Sequence, residues 1–140
     1  MNAKHSSSEA QVTENRRTNI RHWSVAHNDW LRALKFYKDE IDILNDRLVE
    51  IASKNTGQEI SRQIEHFQNQ FVLHRDNIDE LKHSITTNLA QVAEEAKNQD
   101  SFVSVRLLGL LEREEYLFHA EEKEINKLRE EFNFFCAAWM

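Results

Sequence analysis

Apolar residues recur at alternating steps of three and four along three long stretches of the chain. The first set is Ile20, Trp23, His27, Trp30, Leu34, Tyr37, Ile41, Leu44, Leu48 and Ile51. The second runs Ile60, Ile64, Phe67, Phe71, His74, Ile78, Leu81, Ile85, Asn88 and Val92. The third runs Leu107, Leu111, Glu114, Phe118, Glu121, Ile125, Leu128, Phe132, Phe135 and Trp139. That spacing keeps each set on one face of a helix, the seam of a coiled coil. The pattern predicts helices over about 17–53, 57–97 and 101–138, preceded by a flexible polar tail over 1–16 that carries Ser6, Ser7 and Ser8 in a row.

Turn chemistry separates the three stretches. Between the first two lies Lys54-Asn55-Thr56-Gly57-Gln58-Glu59. Thr56 and Glu59 have the spacing of a capping box, and Asn55 suits the left-handed residue that often ends a helix. Asn98, Gln99, Asp100 and Ser101 mark the second turn, with Asp100 or Ser101 as the expected cap. Short connections make sequential helices antiparallel neighbours. The expected fold is therefore all-α: an antiparallel up-down-up three-helix bundle with coiled-coil-like helices about 50 to 60 Å long.

Folding the registers back at the two turns sorts them into layers. Ile51, Ile60 and Trp139 meet at one end, followed by Leu48 with Ile64 and Phe135, then Leu44 with Phe67 and Phe132. This half is wholly apolar. The other half holds every polar seam residue: Tyr37 with His74, Glu121 with Leu34 and Ile78, His27 with Glu114, and Asn88 with Trp23 and Leu111. A buried carboxylate is costly unless paired, so His27 is the expected partner of Glu114, fixing register and helix order. A hydrogen bond from Tyr37 to His74 is expected in the next polar layers, and Glu121 has no evident partner. A buried His–Glu pair also admits a pH-responsive bundle.

Composition supports one helical domain. The chain has 140 residues, no proline, and Gly57 and Gly109 as its two glycines, which favours long unbroken helices. A net charge of −6 argues against a nucleic-acid partner. No apolar run is long enough to span a bilayer, and the first residues lack an apolar signal core. A cytoplasmic, non-membrane protein is the expectation.

Chemistry is sparse. Cys136 is the sole cysteine, in an apolar setting that does not activate a thiol. Two isolated glycines build no phosphate loop. The layer of His27 and Glu114 offers two ligands where a metal site needs three or four. No enzyme activity, cofactor or metal is expected. A metal- or ligand-binding bundle centred on the His27/Glu114 pair is the alternative to a protein-interaction role.

That interaction role rests on excess apolar surface. The third helix opens Phe102, Val103, Val105, Leu107, Leu108, Leu110 and Leu111, richer than one seam requires, and Phe134 is expected to point outward. Patches of this kind mark association surfaces. The sequence reading is a scaffolding or interaction bundle with a protein partner, a second copy included, and with Phe102, Val103, Leu108, Leu110 and Phe134 as its surface.

Overall fold

The computed structural model describes the backbone of residues 2–97 and 104–139 and, within it, the side chains from Arg21 onward apart from that of residue 96. Three helices, α1 (Asn2–Lys54), α2 (Gln58–Ala96) and α3 (Val105–Trp139), pack on one another. The side-chain pairs fix their directions. Lys38 meets Asp79 while Asp42 meets Arg75, so α1 and α2 are antiparallel. Phe67 packs on Phe132 and His74 on Glu121, so α2 and α3 are antiparallel. Trp30 stacks on Phe118 and Glu40 pairs with Arg129, so α1 and α3 run parallel. The up-down-up three-helix bundle is as the periodicity predicts.

The seam residues form the core. Every one whose side chain is described is buried, apart from the half-buried Tyr37 and Trp139. Cys136, outside the register, is buried as well. Loss of hydration pushes its thiol pKa up. One end of the core is aromatic: Phe67, Phe71, Phe132 and Phe135 form a connected set of ring contacts, with centroids of touching rings 5.0 to 6.3 Å apart. The buried polar residues His27, His74, Asn88, Glu114 and Glu121 all lie toward the other end.

The helix ends depart from the expectation in three places. Helix α1 begins at Asn2 rather than at about residue 17, so helical backbone includes the stretch expected as a flexible tail. That stretch holds neither proline nor glycine, so nothing in its sequence breaks a helix continued from the packed part. The capping box does not form, because the N-cap of α2 is Gly57, which has no side-chain cap. Asn55 acts instead on the preceding helix, its side-chain amide donating to the carbonyl of Ile51 at 2.9 Å. Helix α3 starts at Val105, later than expected, and Ser104 is its cap. The Ser104 hydroxyl accepts from the amide of Leu107 at 3.2 Å. The amide and hydroxyl of Ser104 in turn donate to the Glu95 carboxylate, at 2.9 and 3.2 Å, which ties the end of α2 to the start of α3. The expected caps Asp100 and Ser101 lie outside the described residues.

Candidate functional site

Two features stand apart from ordinary bundle packing: a set of buried polar layers and a grooved apolar seam. The first polar layer is centred on Glu114, which is 3% exposed. The side-chain amide of Asn88 donates to both of its carboxylate oxygens, at 2.9 and 2.8 Å. His27 Nε2 stands 3.6 Å from Oε2 of the same carboxylate. The other ring nitrogen, Nδ1, lies 2.6 Å from the carbonyl of Trp23. A carbonyl can only accept, so Nδ1 carries a proton and donates. Nε2 has no hydrogen-bond partner. A neutral ring aims a lone pair at Glu114, whereas an imidazolium aims an N–H at it. Trp23 and Trp30 wall the ring, with centroids 6.2 and 5.1 Å away.

His27 and Glu114 therefore face each other in one layer without a hydrogen bond between them, and it is Asn88 that bonds the carboxylate. Asn88 was placed one layer away, beside Trp23 and Leu111. A glutamate is long enough to reach across a helical turn, so a strict layer count does not settle its partners.

The second polar layer corrects the sequence reading. Tyr37 does not bond His74. His74 Nδ1 donates to Glu121 Oε1 at 2.5 Å, and the Asn77 amide donates to Oε2 at 3.2 Å. Glu121 thus has two partners where none was expected. Tyr37, half-buried at the edge of the core, turns to α3 and donates its hydroxyl to Glu122 Oε2 at 2.6 Å. Burial, with help from the Glu122 carboxylate, pushes the Tyr37 phenol up to about 12. The raised value favours the neutral phenol in the folded chain. Its stabilising contribution is complete below the ordinary tyrosine value of 10.0 and disappears as pH climbs to about 12. Tyr37→Phe is expected to lose about 1 to 2 kcal/mol at neutral pH, a deficit that narrows above pH ~10. Urea unfolding of both proteins at neutral and alkaline pH tests this; a deficit that does not vary with pH contradicts it.

Among the described residues, no three His, Cys, Asp or Glu side chains gather as metal ligands. His119, 58% exposed at its side chain, points outward. Among the described residues no helix is long and apolar enough to cross a membrane.

The apolar seam lies between α2 and α3. Leu110, 37% exposed, lines a groove of about 220 Å³ with Gln91, Glu94 and Arg106. One heptad on, Leu117 is 39% exposed and lines a groove of about 390 Å³ with Asn77, Glu80, Ser84 and Ala120. Toward the aromatic end, Phe134 is 82% exposed beside a groove of about 380 Å³ formed with Arg62, His66 and Phe67. Of the five surface residues expected from sequence, Leu110 and Phe134 are exposed on this seam. Leu108 is half-buried and packs against the core, so it belongs to the interior rim. Phe102 and Val103 lie outside the described residues. Leu117 is not among those five; its place one heptad after Leu110 is the sequence signal that joins it to the surface.

Charge distribution sets the seam apart. Ion pairs between exposed or half-buried side chains close the α1–α2 seam, through Lys38–Asp79 and Arg75–Asp42, and the α1–α3 seam, through Arg129–Glu40. Among the described residues no such pair crosses the rim of the α2–α3 seam. Other exposed apolar residues, such as Phe36 and Ile43, stand on the outward face of α1. Exposed apolar residues are common on protein surfaces. A groove of about 830 Å³ runs past Trp23, Glu112, Glu115 and His119, and its carboxylates are those of a solvated acidic face.

Comparison with protein-family models, with curated proteins and with solved structures gives no match.

Proposed function

We propose that this chain is a non-enzymatic interaction bundle that docks a protein partner along the α2–α3 seam. The observation that carries the reading is the alignment of Leu110, Leu117 and Phe134 along one side of α3, each beside a groove shared with α2. From Leu110 to Phe134 the strip is about 36 Å long. Apolar side chains in shallow grooves with polar rims have the composition of an association surface. A helix laid into the seam would bury them through knobs-into-holes packing of the kind that already builds the core.

The buried polar layers have a structural place in this reading. They give the bundle a unique register and so hold the two walls of the seam at a fixed separation.

The test is a photo-reactive amino acid at position 117, activated in native extract. The expected result is one discrete cross-linked adduct that is lost when Leu110 is changed to glutamate. Leu110→Glu should leave helicity and melting temperature close to those of the parent, because the side chain is already partly solvated. Absence of any discrete adduct, or an adduct that survives Leu110→Glu, counts against the surface.

A further inference from the structure

On the outer strip of α3 two arginines are mirrored by two glutamates, while Lys127 is mirrored by the neutral Leu110. Going along the helix, its exposed residues on the α2 side include Arg106, Leu110, Arg113, Leu117, Glu124, Lys127 and Glu131. Arg106 and Arg113 precede the middle of the strip, and Glu124 and Glu131 follow it. Arg113 and Glu124 are equidistant from the point between Leu117 and Ala120, and so are Arg106 and Glu131. Arg106, Arg113, Glu124 and Glu131 are exposed, and among the described residues none of them is in an ion pair.

We infer that the partner on this surface is a second copy of the chain, bound antiparallel through α3 about a two-fold axis between Leu117 and Ala120. This rests on the surface reading above and names its occupant. In such a dimer Arg113 of one copy faces Glu124 of the other, Arg106 faces Glu131, and symmetry repeats each pair, giving four ion pairs. Self-complementarity of this kind is what an isologous contact demands. A parallel arrangement places Arg on Arg and Glu on Glu, and is disfavoured by the same charges.

The apolar positions fit the same axis. Leu117 of one copy meets Ala120 of the other at the centre, large against small. Both residues line the same groove, the one shared with Asn77, Glu80 and Ser84 of α2. Leu110 meets Lys127, whose methylene stem can cover it while the ammonium stays in water. The contact between Arg106 and Glu131 spans about 38 Å of helix. The α2–α3 rim, without ion pairs of its own, leaves this strip open to a neighbour, whereas the two seams made by α1 are closed by charge.

The experiment is the solution mass of the full chain by light scattering after size exclusion, over a concentration series. The wild-type chain should reach twice the 16.6 kDa protomer mass. Arg113→Glu and Glu124→Arg should each weaken the dimer roughly tenfold or more, since each replaces two attractions by two repulsions. An equimolar mixture of the two variants should recover the dimer, because their charges are complementary only to each other. The double variant Arg113→Glu/Glu124→Arg should recover it alone. Circular dichroism confirms that each variant keeps its helices, as expected for exposed positions.

A monomeric wild type at every concentration overturns the inference, as does a dimer indifferent to either single change, or a mixture no tighter than its components. Failure here is separable from failure of the surface itself. If the cross-linked adduct at position 117 has a mass other than that of two chains, the surface stands and its occupant is another protein. If no adduct forms, the surface fails too.

Discussion

Alanine in place of Glu114 is expected to cost about 3 to 5 kcal/mol of folding free energy. The carboxylate is 3% exposed and receives the Asn88 amide on both oxygens, with His27 Nε2 at 3.6 Å. Its removal leaves the Asn88 amide and one imidazole nitrogen facing a cavity between tryptophans. Both are buried, His27 at 0% and Asn88 at 9% exposure, so rehydration is restricted. Replacing the whole layer has a different outcome. The triple variant His27→Leu, Asn88→Leu, Glu114→Leu removes every polar group together and is expected to be neutral or up to about 4 kcal/mol more stable. Urea unfolding of the two variants beside wild type is the measurement. A single-variant loss below ~1 kcal/mol, within the range of an ordinary net hydrogen bond, would show that the layer is solvated rather than sealed.

Phe132→Ala is the second large effect, expected at about 3 to 5 kcal/mol. Phe132 is fully buried and sits edge-on to Phe67 and Phe71, at centroid distances of 5.2 and 5.3 Å, with Phe135 at 5.9 Å. Three helices contribute to this end of the core, so the remaining rings cannot close over the void without moving backbone. Phe134 provides the control. It is two residues away, has the same chemistry and is 82% exposed. Phe134→Ala should change stability by less than ~0.5 kcal/mol while reducing apolar surface on the seam. Similar losses from both changes would mean that Phe134 is covered in solution, and thermal unfolding at two protein concentrations would then tell whether the cover is another chain.

What the sequence made legible follows from the geometry of each signal. The fold rests on periodicity, which is cumulative over thirty residues per helix, and a single intruder such as His27 or Glu121 does not disturb it. The pair of His27 and Glu114 was legible because both lie on the seam and near one level. Asn88 and Asn77 were missed as partners because a layer treats side chains as points, whereas Glu114 and Glu121 extend along the helix axis. Tyr37 was misplaced for a related reason: its long ring carries the hydroxyl past the core edge to Glu122. The caps were least legible. A serine, threonine or aspartate before an apolar run occurs at Thr56, Asp100, Ser101 and Ser104, and only tertiary contacts, here the Glu95 carboxylate on Ser104, select among them.

The separation of an aromatic end from a polar end has a kinetic meaning. Local opening is easiest where few apolar contacts must break, so thermal fluctuations in this bundle have a preferred direction. Amide hydrogen exchange is expected to be faster at the end carrying His27, Asn88 and Glu114 than around Phe67, Phe71, Phe132 and Phe135. The strip of α3 from Arg106 to Leu117 lies on the polar half, and Phe134 lies beside the aromatic cluster. A partner bound along the whole strip, as proposed, would act as a clasp that bridges the two halves and slows that exchange.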